Sequence, residues 1–110
     1  MGDMKLDIPH KLKLTDAKAR MKELGTYWSA KYGIKPSWSK DTAKVAGSIM
    51  GFKFDATIAV AKDAVTLEGP EPNFLVRKKV IGYLEHKLKE YLDPKNSLED
   101  LEAKREELED

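Results

Sequence analysis

The stretch Gly51-Phe52-Lys53-Phe54-Asp55-Ala56-Thr57-Ile58-Ala59-Val60 constrains this chain more than any other. Phe52, Phe54, Ala56, Ile58 and Val60 fall on one side of an extended backbone, and Lys53, Asp55 and Thr57 on the other. Strict period-two alternation is what a strand needs to cover a core with one face and meet water with the other. Its aromatic and β-branched content favours the same conformation. A strand of this kind needs neighbours to pair with and an apolar layer to lie beneath, and the remaining sequence supplies both.

Before it, Met4, Leu6 and Ile8 alternate with Lys5 and Asp7, a short strand that Pro9 ends or leaves at an edge. Thr15 then offers an N-cap and Asp16 suits the positive end of a helix dipole. Ala17, Met21, Leu24, Trp28 and Tyr32 recur at steps of three and four, which predicts a helix over Asp16–Lys31. Gly33 and Pro36 stop it. Four strands follow in a meander: Ser37–Ser39, Ala43–Ile49, Phe52–Ala61 and Ala64–Glu68. Their links are Lys40-Asp41, Met50-Gly51 and Lys62-Asp63.

After the break at Gly69-Pro70-Glu71-Pro72-Asn73, the residues Val76, Val80, Leu84, Leu88 and Tyr91 mark a second amphipathic helix, about Asn73–Leu92. Ser97-Leu98-Glu99-Asp100 has the form of a capping box opening a last charged segment. The predicted fold is therefore α+β, in the order β-α-β-β-β-β-α. An antiparallel five-stranded sheet is covered on one face by two helices, because only those helices carry apolar stripes long enough to cover it. The order resembles TATA-binding-protein-like and helix-grip arrangements, an analogy of fold that carries no function. Residues 1–92 are read as one domain and 93–110 as an acidic helical or frayed tail.

Composition narrows the function classes. The chain has 110 residues and no cysteine, which excludes disulfides and thiolate chemistry and suits a reducing cytoplasm. No apolar run approaches a membrane span, and the first residues lack the apolar region of a signal peptide. The net charge of +1 conceals an imbalance: the three basic and eight acidic residues of 93–110 leave the body at +6. A basic body can attract an anionic partner. Lys35, Lys40, Lys44, Lys53 and Lys62 lie on or beside the expected sheet, so a basic face for an anionic polymer is one reading. The strand aromatics are in phase with the core, however, and base stacking is not indicated, which argues against nucleic acid.

His10 and His86 stand in no catalytic or metal-ligand spacing, and no nucleophile motif, paired carboxylates or phosphate loop can be read. Neither a metal nor a cofactor is implied. Trp28, Trp38 and Phe52 are candidates to line a seam between helix and sheet for a small apolar ligand, with core filling the plainer reading. In the tail, Leu98, Leu101 and Leu108, spaced three and seven, allow docking, fraying or pairing of two chains into a homodimer.

Ile8-Pro9-His10-Lys11-Leu12, Ala17-Lys18-Ala19-Arg20, Tyr32-Gly33, Trp38 and Met50-Gly51-Phe52 resemble the polyhydroxyalkanoic acid system protein family, from about Met4 to Leu92. These are small bacterial proteins encoded near polyester-granule genes. Before the last helix this chain departs from the family pattern, with Glu71-Pro72-Asn73-Phe74-Leu75-Val76-Arg77-Lys78 in place of a Leu-Pro-rich segment. The resemblance supplies no catalytic residues. It implies a bacterial cytoplasm and an association with polyhydroxyalkanoate metabolism. Together with the missing catalytic constellation, this leads to the expectation of a non-enzymatic accessory or interaction protein that contacts the granule surface or a granule-associated protein. His10, Lys11, Met50 and Phe52 are then the expected contact residues, with Trp28 and Trp38 as candidates for the ligand seam.

Overall fold

In a computed structural model, the protein is described over residues 3–49, 52–70 and 76–109, the side chains at 3, 49, 52, 54, 108 and 109 aside. Its elements are β1 (Asp3–Pro9), α1 (Leu14–Tyr32), β2 (Lys35–Ser39), β3 (Thr42–Ile49), β4 (Phe52–Val60), β5 (Ala64–Pro70), α2 (Arg77–Leu92) and α3 (Leu98–Glu109). The α+β fold read from the sequence is the one found. The strands form one antiparallel sheet in the order β1-β5-β4-β3-β2. Four strands thus follow the meander, and β1 closes the sheet by pairing with β5, from Asp3 opposite Pro70 to Pro9 opposite Ala64.

Alternation decides which face is covered. Met4, Ile8, Ala43, Val45, Ala56, Ile58, Val60, Val65 and Leu67 are buried, while their strand neighbours are exposed or half-buried. Over the buried face, α1 crosses β2, β3 and β4, and α2 lies against β1 and α1. Trp28, Met21, Leu24, Leu84, Leu88 and Tyr91 fill the layer between and are fully buried. Close packing of this kind makes even small changes of volume costly.

Two glycines permit close approach. A Cβ on Gly25 of α1 would meet the Pro36 ring at 3.3 Å, so β2 lies close under the helix. A Cβ on Gly47 would come within 2.8 Å of Ile34 Cγ1 and 3.2 Å of its Cα, where the chain passes from α1 into β2. Gly33 does end α1, in the left-handed conformation at φ 73°, with its N–H donating to Ser29 O at 2.9 Å.

Some boundaries move. Thr15 is not the N-cap: α1 begins two residues earlier, with Lys13 in that position and no side-chain cap, and Ala17 N–H donates to Lys13 O at 2.9 Å. The β2 strand includes Pro36, tolerable because its outer edge needs no donor. Val76 is the N-cap of α2, so the helix begins at Arg77, while the earlier start expected at Asn73 falls outside the described residues, as does the Met50-Gly51 turn. The capping box at Ser97 is present, Asp100 N–H donating to Ser97 Oγ at 3.1 Å and Ser97 N–H to Asp100 Oδ2 at 3.0 Å.

The charged tail folds back as α3 against α1. Leu101 is fully buried, and the tail's scarce cations point inward: Arg105 Nε donates to Glu23 Oε2 at 2.8 Å and Lys104 Nζ to Glu90 Oε2 at 2.6 Å. Its acids Glu99, Asp100, Glu106 and Glu107 are exposed. A buried arginine completes the junction. Arg20 Nη1 donates to Tyr91 O (3.2 Å) and Asp93 O (3.0 Å) at the end of α2, and its Nε donates to Asp16 Oδ1 (3.1 Å). A cation at the C-terminal carbonyls of a helix meets the negative end of its dipole.

Burial alone would raise the Glu90 carboxyl, but the hydrogen bond from Lys104 and the charge of Lys87 outweigh it and hold the group below its ordinary value of 4.5. A carboxyl depressed by folding stabilises the fold above its unfolded value, and that stability is lost as pH falls through the folded one. Thermal melts from about pH 6 down to about pH 3 should therefore show a steeper loss for the native chain than for Glu90→Gln. Equal slopes would contradict the assignment. Lys40, in the β2–β3 turn, has φ 54°. Lys40→Gly should stabilise by about 1 kcal/mol in urea unfolding, because glycine takes that conformation without a Cβ clash.

Candidate functional site

The site grows from the point where β1 ends. His10 is buried, and its backbone N–H donates to Asp63 O at 2.9 Å in the β4–β5 turn. Its ring joins the same two segments. Nε2 lies 2.9 Å from Ala61 O, and Nδ1 lies 3.1 Å from the backbone N of Leu12. A carbonyl only accepts and an amide N–H only donates, so the proton sits on Nε2 and Nδ1 is the acceptor. Both ring nitrogens are thus occupied by backbone. The ring straps the segment leading into α1 onto the turn between β4 and β5 and has no nitrogen left for proton transfer.

The strap shapes a surface groove of about 740 Å3, formed by residues His10 to Leu14 together with Lys62 and Asp63. Lys11, Lys13 and Lys62 are exposed along it, against the single carboxylate of Asp63. Leu14 is 37% exposed, the large apolar side chain left open among the described residues, while Leu12 packs towards the core. The N-terminus of α1 adds its partial positive charge at the same place. Ammonium groups around an apolar floor make a surface fit for an anionic, partly apolar partner.

The other residues singled out from the sequence are not brought to this groove. Trp28 is fully buried and its Nε1–H donates to Tyr83 Oη at 3.2 Å, so it belongs to the packed layer under α1. Trp38 is half-buried on β2, with the Lys22 ammonium 5.8 Å from the centre of its ring. Met50 and the side chain of Phe52 lie outside the described residues. His86 is exposed on α2. Of the five sheet lysines, Lys40 and Lys62 are in turns. Lys35, Lys44 and Lys53 share the open face with Lys5, Asp7, Asp55 and Glu68, a mixed field rather than a basic one.

A second cluster, of aromatics and cations, joins α1 to α2. Tyr83 Oη takes the Trp28 N–H and lies 3.3 Å from Tyr32 Oη, and the two tyrosine rings meet edge to face at 6.3 Å. The Lys87 ammonium stands 4.6 Å from the Tyr27 ring centre and 3.3 Å from Glu90 Oε1. Burial pushes the Tyr83 and Tyr91 phenols well above their ordinary range, so both stay neutral. These contacts tie the helices together. Among the described residues, no group of three His, Asp or Glu side chains could hold a metal ion, and no helix is long and apolar enough to cross a membrane.

Residues 4–95 match the family described as "Putative polyhydroxyalkanoic acid system protein". The chain belongs to that family. No curated protein and no solved structure matches it. The match ends within the loop between α2 and α3, so the sheet, both covering helices and the His10 groove lie inside it and α3 lies beyond it.

Of the groove residues, the sequence singled out His10 and Lys11 as contact residues and Lys62 only as a lysine beside the sheet, and it did not point to Lys13, Leu14 or Asp63. Lys62-Asp63 reads only as a turn until β1 is known to lie beside β5, which brings that turn to the exit of β1. Replacing His10 by Ala removes a ring that satisfies one backbone carbonyl and one backbone N–H. Chemical denaturation of His10→Ala should show a loss of about 1–3 kcal/mol. An unchanged unfolding midpoint would mean that the strap holds nothing.

Proposed function

We propose that this protein serves the polyhydroxyalkanoate system as a non-enzymatic accessory protein that docks on the polyester granule surface through the groove of Lys11, Lys13, Leu14 and Lys62. Family membership supports the context, and the observation that carries the docking surface is the exposed Leu14 among three exposed ammonium groups where His10 fixes the segment before α1 to the β4–β5 turn. A polyester is apolar along its chain and ends in carboxylates, so its surface suits apolar contact ringed by positive charge. The reading puts the protein in the cytoplasm beside the granule, in keeping with a chain free of cysteine.

The test is co-sedimentation of the purified chain with isolated polyester granules, with polystyrene beads as the inert apolar control. The expected result is retention on granules that falls as salt rises, because exposed charges are screened over about 8 Å at physiological ionic strength. Reversing Lys11, Lys13 and Lys62 to Glu should cut retention at least about tenfold, and Leu14→Ser should reduce it as well. Equal retention on beads, or no change in the triple variant, would sink the proposal.

A further inference from the structure

Both α1 and α2 lie on one side of the sheet, and α3 packs on α1. The opposite face is met by no element of the described chain. Its pattern is not that of an ordinary solvated surface. Register places Lys5, Glu68, Thr57, Lys44 and Ser37 in one row across the five strands, and Asp7, Thr66, Ala59, Thr42 and Ser39 in the next. The middle of the face is therefore built of short side chains, Thr42, Ala46, Thr57, Ala59 and Thr66, on which another sheet can lie close. The charges divide by side: Asp7 and Glu68 on the β1–β5 flank, Lys35 and Lys44 on the β3–β2 flank. Lys5 is the exception, and it already stands 3.8 Å from Glu68 Oε1, leaving Oε2 to another partner.

We infer that this face pairs with the same face of a second copy, about a two-fold axis running along β4. Such an axis lays β5 over β3 and β1 over β2. Glu68 then faces Lys44 of the partner subunit and, by symmetry, Lys44 faces the partner subunit's Glu68. On β4 itself, Lys53 and Asp55 stand two residues apart on the open face. Each lysine can therefore reach one row along to the partner's Asp55. Thr57 and Ala59 meet on the axis, where bulk is least. Other axes in the plane of the face lose this match. One running across the strands lays each flank over itself, so that Glu68 would confront acid and Lys44 base.

With strands about 4.8 Å apart and about 3.4 Å per residue, the patch measures roughly 20 by 20 Å per copy. That is small for a specific interface, so the dimer is reversible, with dissociation in the micromolar range or weaker. The axis along β4 also keeps both His10 grooves at the same end of the pair, since each lies where β1 leaves the sheet and β4 turns into β5. Two grooves facing one way engage a surface together and gain by effective concentration.

Analytical ultracentrifugation of the full chain over a range of concentrations tests the inference without any granule. The expected result is a monomer–dimer equilibrium weakened at least about tenfold by Glu68→Lys and by Lys44→Glu separately, and restored in the double variant, because reversing both charges rebuilds the pair. Ala59→Arg, which puts a cation against its own copy on the axis, should leave only monomer. Circular dichroism melts verify that each variant is folded. A chain that stays monomeric up to about 1 mM overturns the inference. So does a dimer equally strong in every variant, which would move the interface elsewhere.

Discussion

The alternation of β4 is carried to its neighbours by register, and the sheet's single apolar face sets the terms for everything laid upon it. Backbone pairing puts Val45 opposite Ala56, Ile58 opposite Leu67 and Leu6 opposite Leu67, so one oily surface spans the strands. A surface of this breadth cannot face water, and one helix is too narrow to cover it. The α1 helix takes the β2–β4 side and α2 the β1 side. Once the two lie side by side, their seam must also be closed, which is where Trp28, Tyr83 and Tyr91 are spent.

Closing the outer side of α1 follows a different chemistry. Met21, Leu24 and Trp28 face the sheet, and a second stripe, Arg20, Glu23 and Tyr27, is nearly as deeply buried. Its polar members are all engaged: Arg20 with the last carbonyls of α2, Glu23 with Arg105 of α3. Buried charge contributes little unless such partners meet it, but removing one partner is costly. The acidic tail is joined to the body through its own cations. It presents its few cations to the body's glutamates and turns its acids outward, away from the helices.

Sequence made the strands, the two apolar stripes, Gly33 and the Ser97 capping box legible, because each rests on local periodicity or cap chemistry. The partnership of β1 with β5 was not legible, since nothing in Met4–Ile8 says which strand it will find. The groove was half visible for the same reason: His10 and Lys11 lie beside one another in the chain, but Lys62 and Asp63 reach them only through that pairing. Arg20 entered only as part of the family motif, and its buried role was not legible because a charged residue between alanine and methionine reads as a solvated position. Its i, i+4 relation to Asp16 was the sole local sign. Trp28 and Trp38, chosen for aromaticity, are held in the packing of α1 with α2 and with β2 rather than at an open surface.

The pairing of β1 with β5 has a consequence for the order in which the molecule assembles. The hairpins β2–β3, β3–β4 and β4–β5 join neighbours in the chain and close quickly, whereas β1 waits for a strand made near the end of the domain. Loop closure over such a span is entropically slow, and topologies rich in distant pairings fold late. On the ribosome, β1 and α1 emerge first yet have no sheet edge to join until β5 is out. During that interval Met4 and Ile8 stand uncovered, and the nascent chain carries apolar surface ahead of the strand that will pair with it.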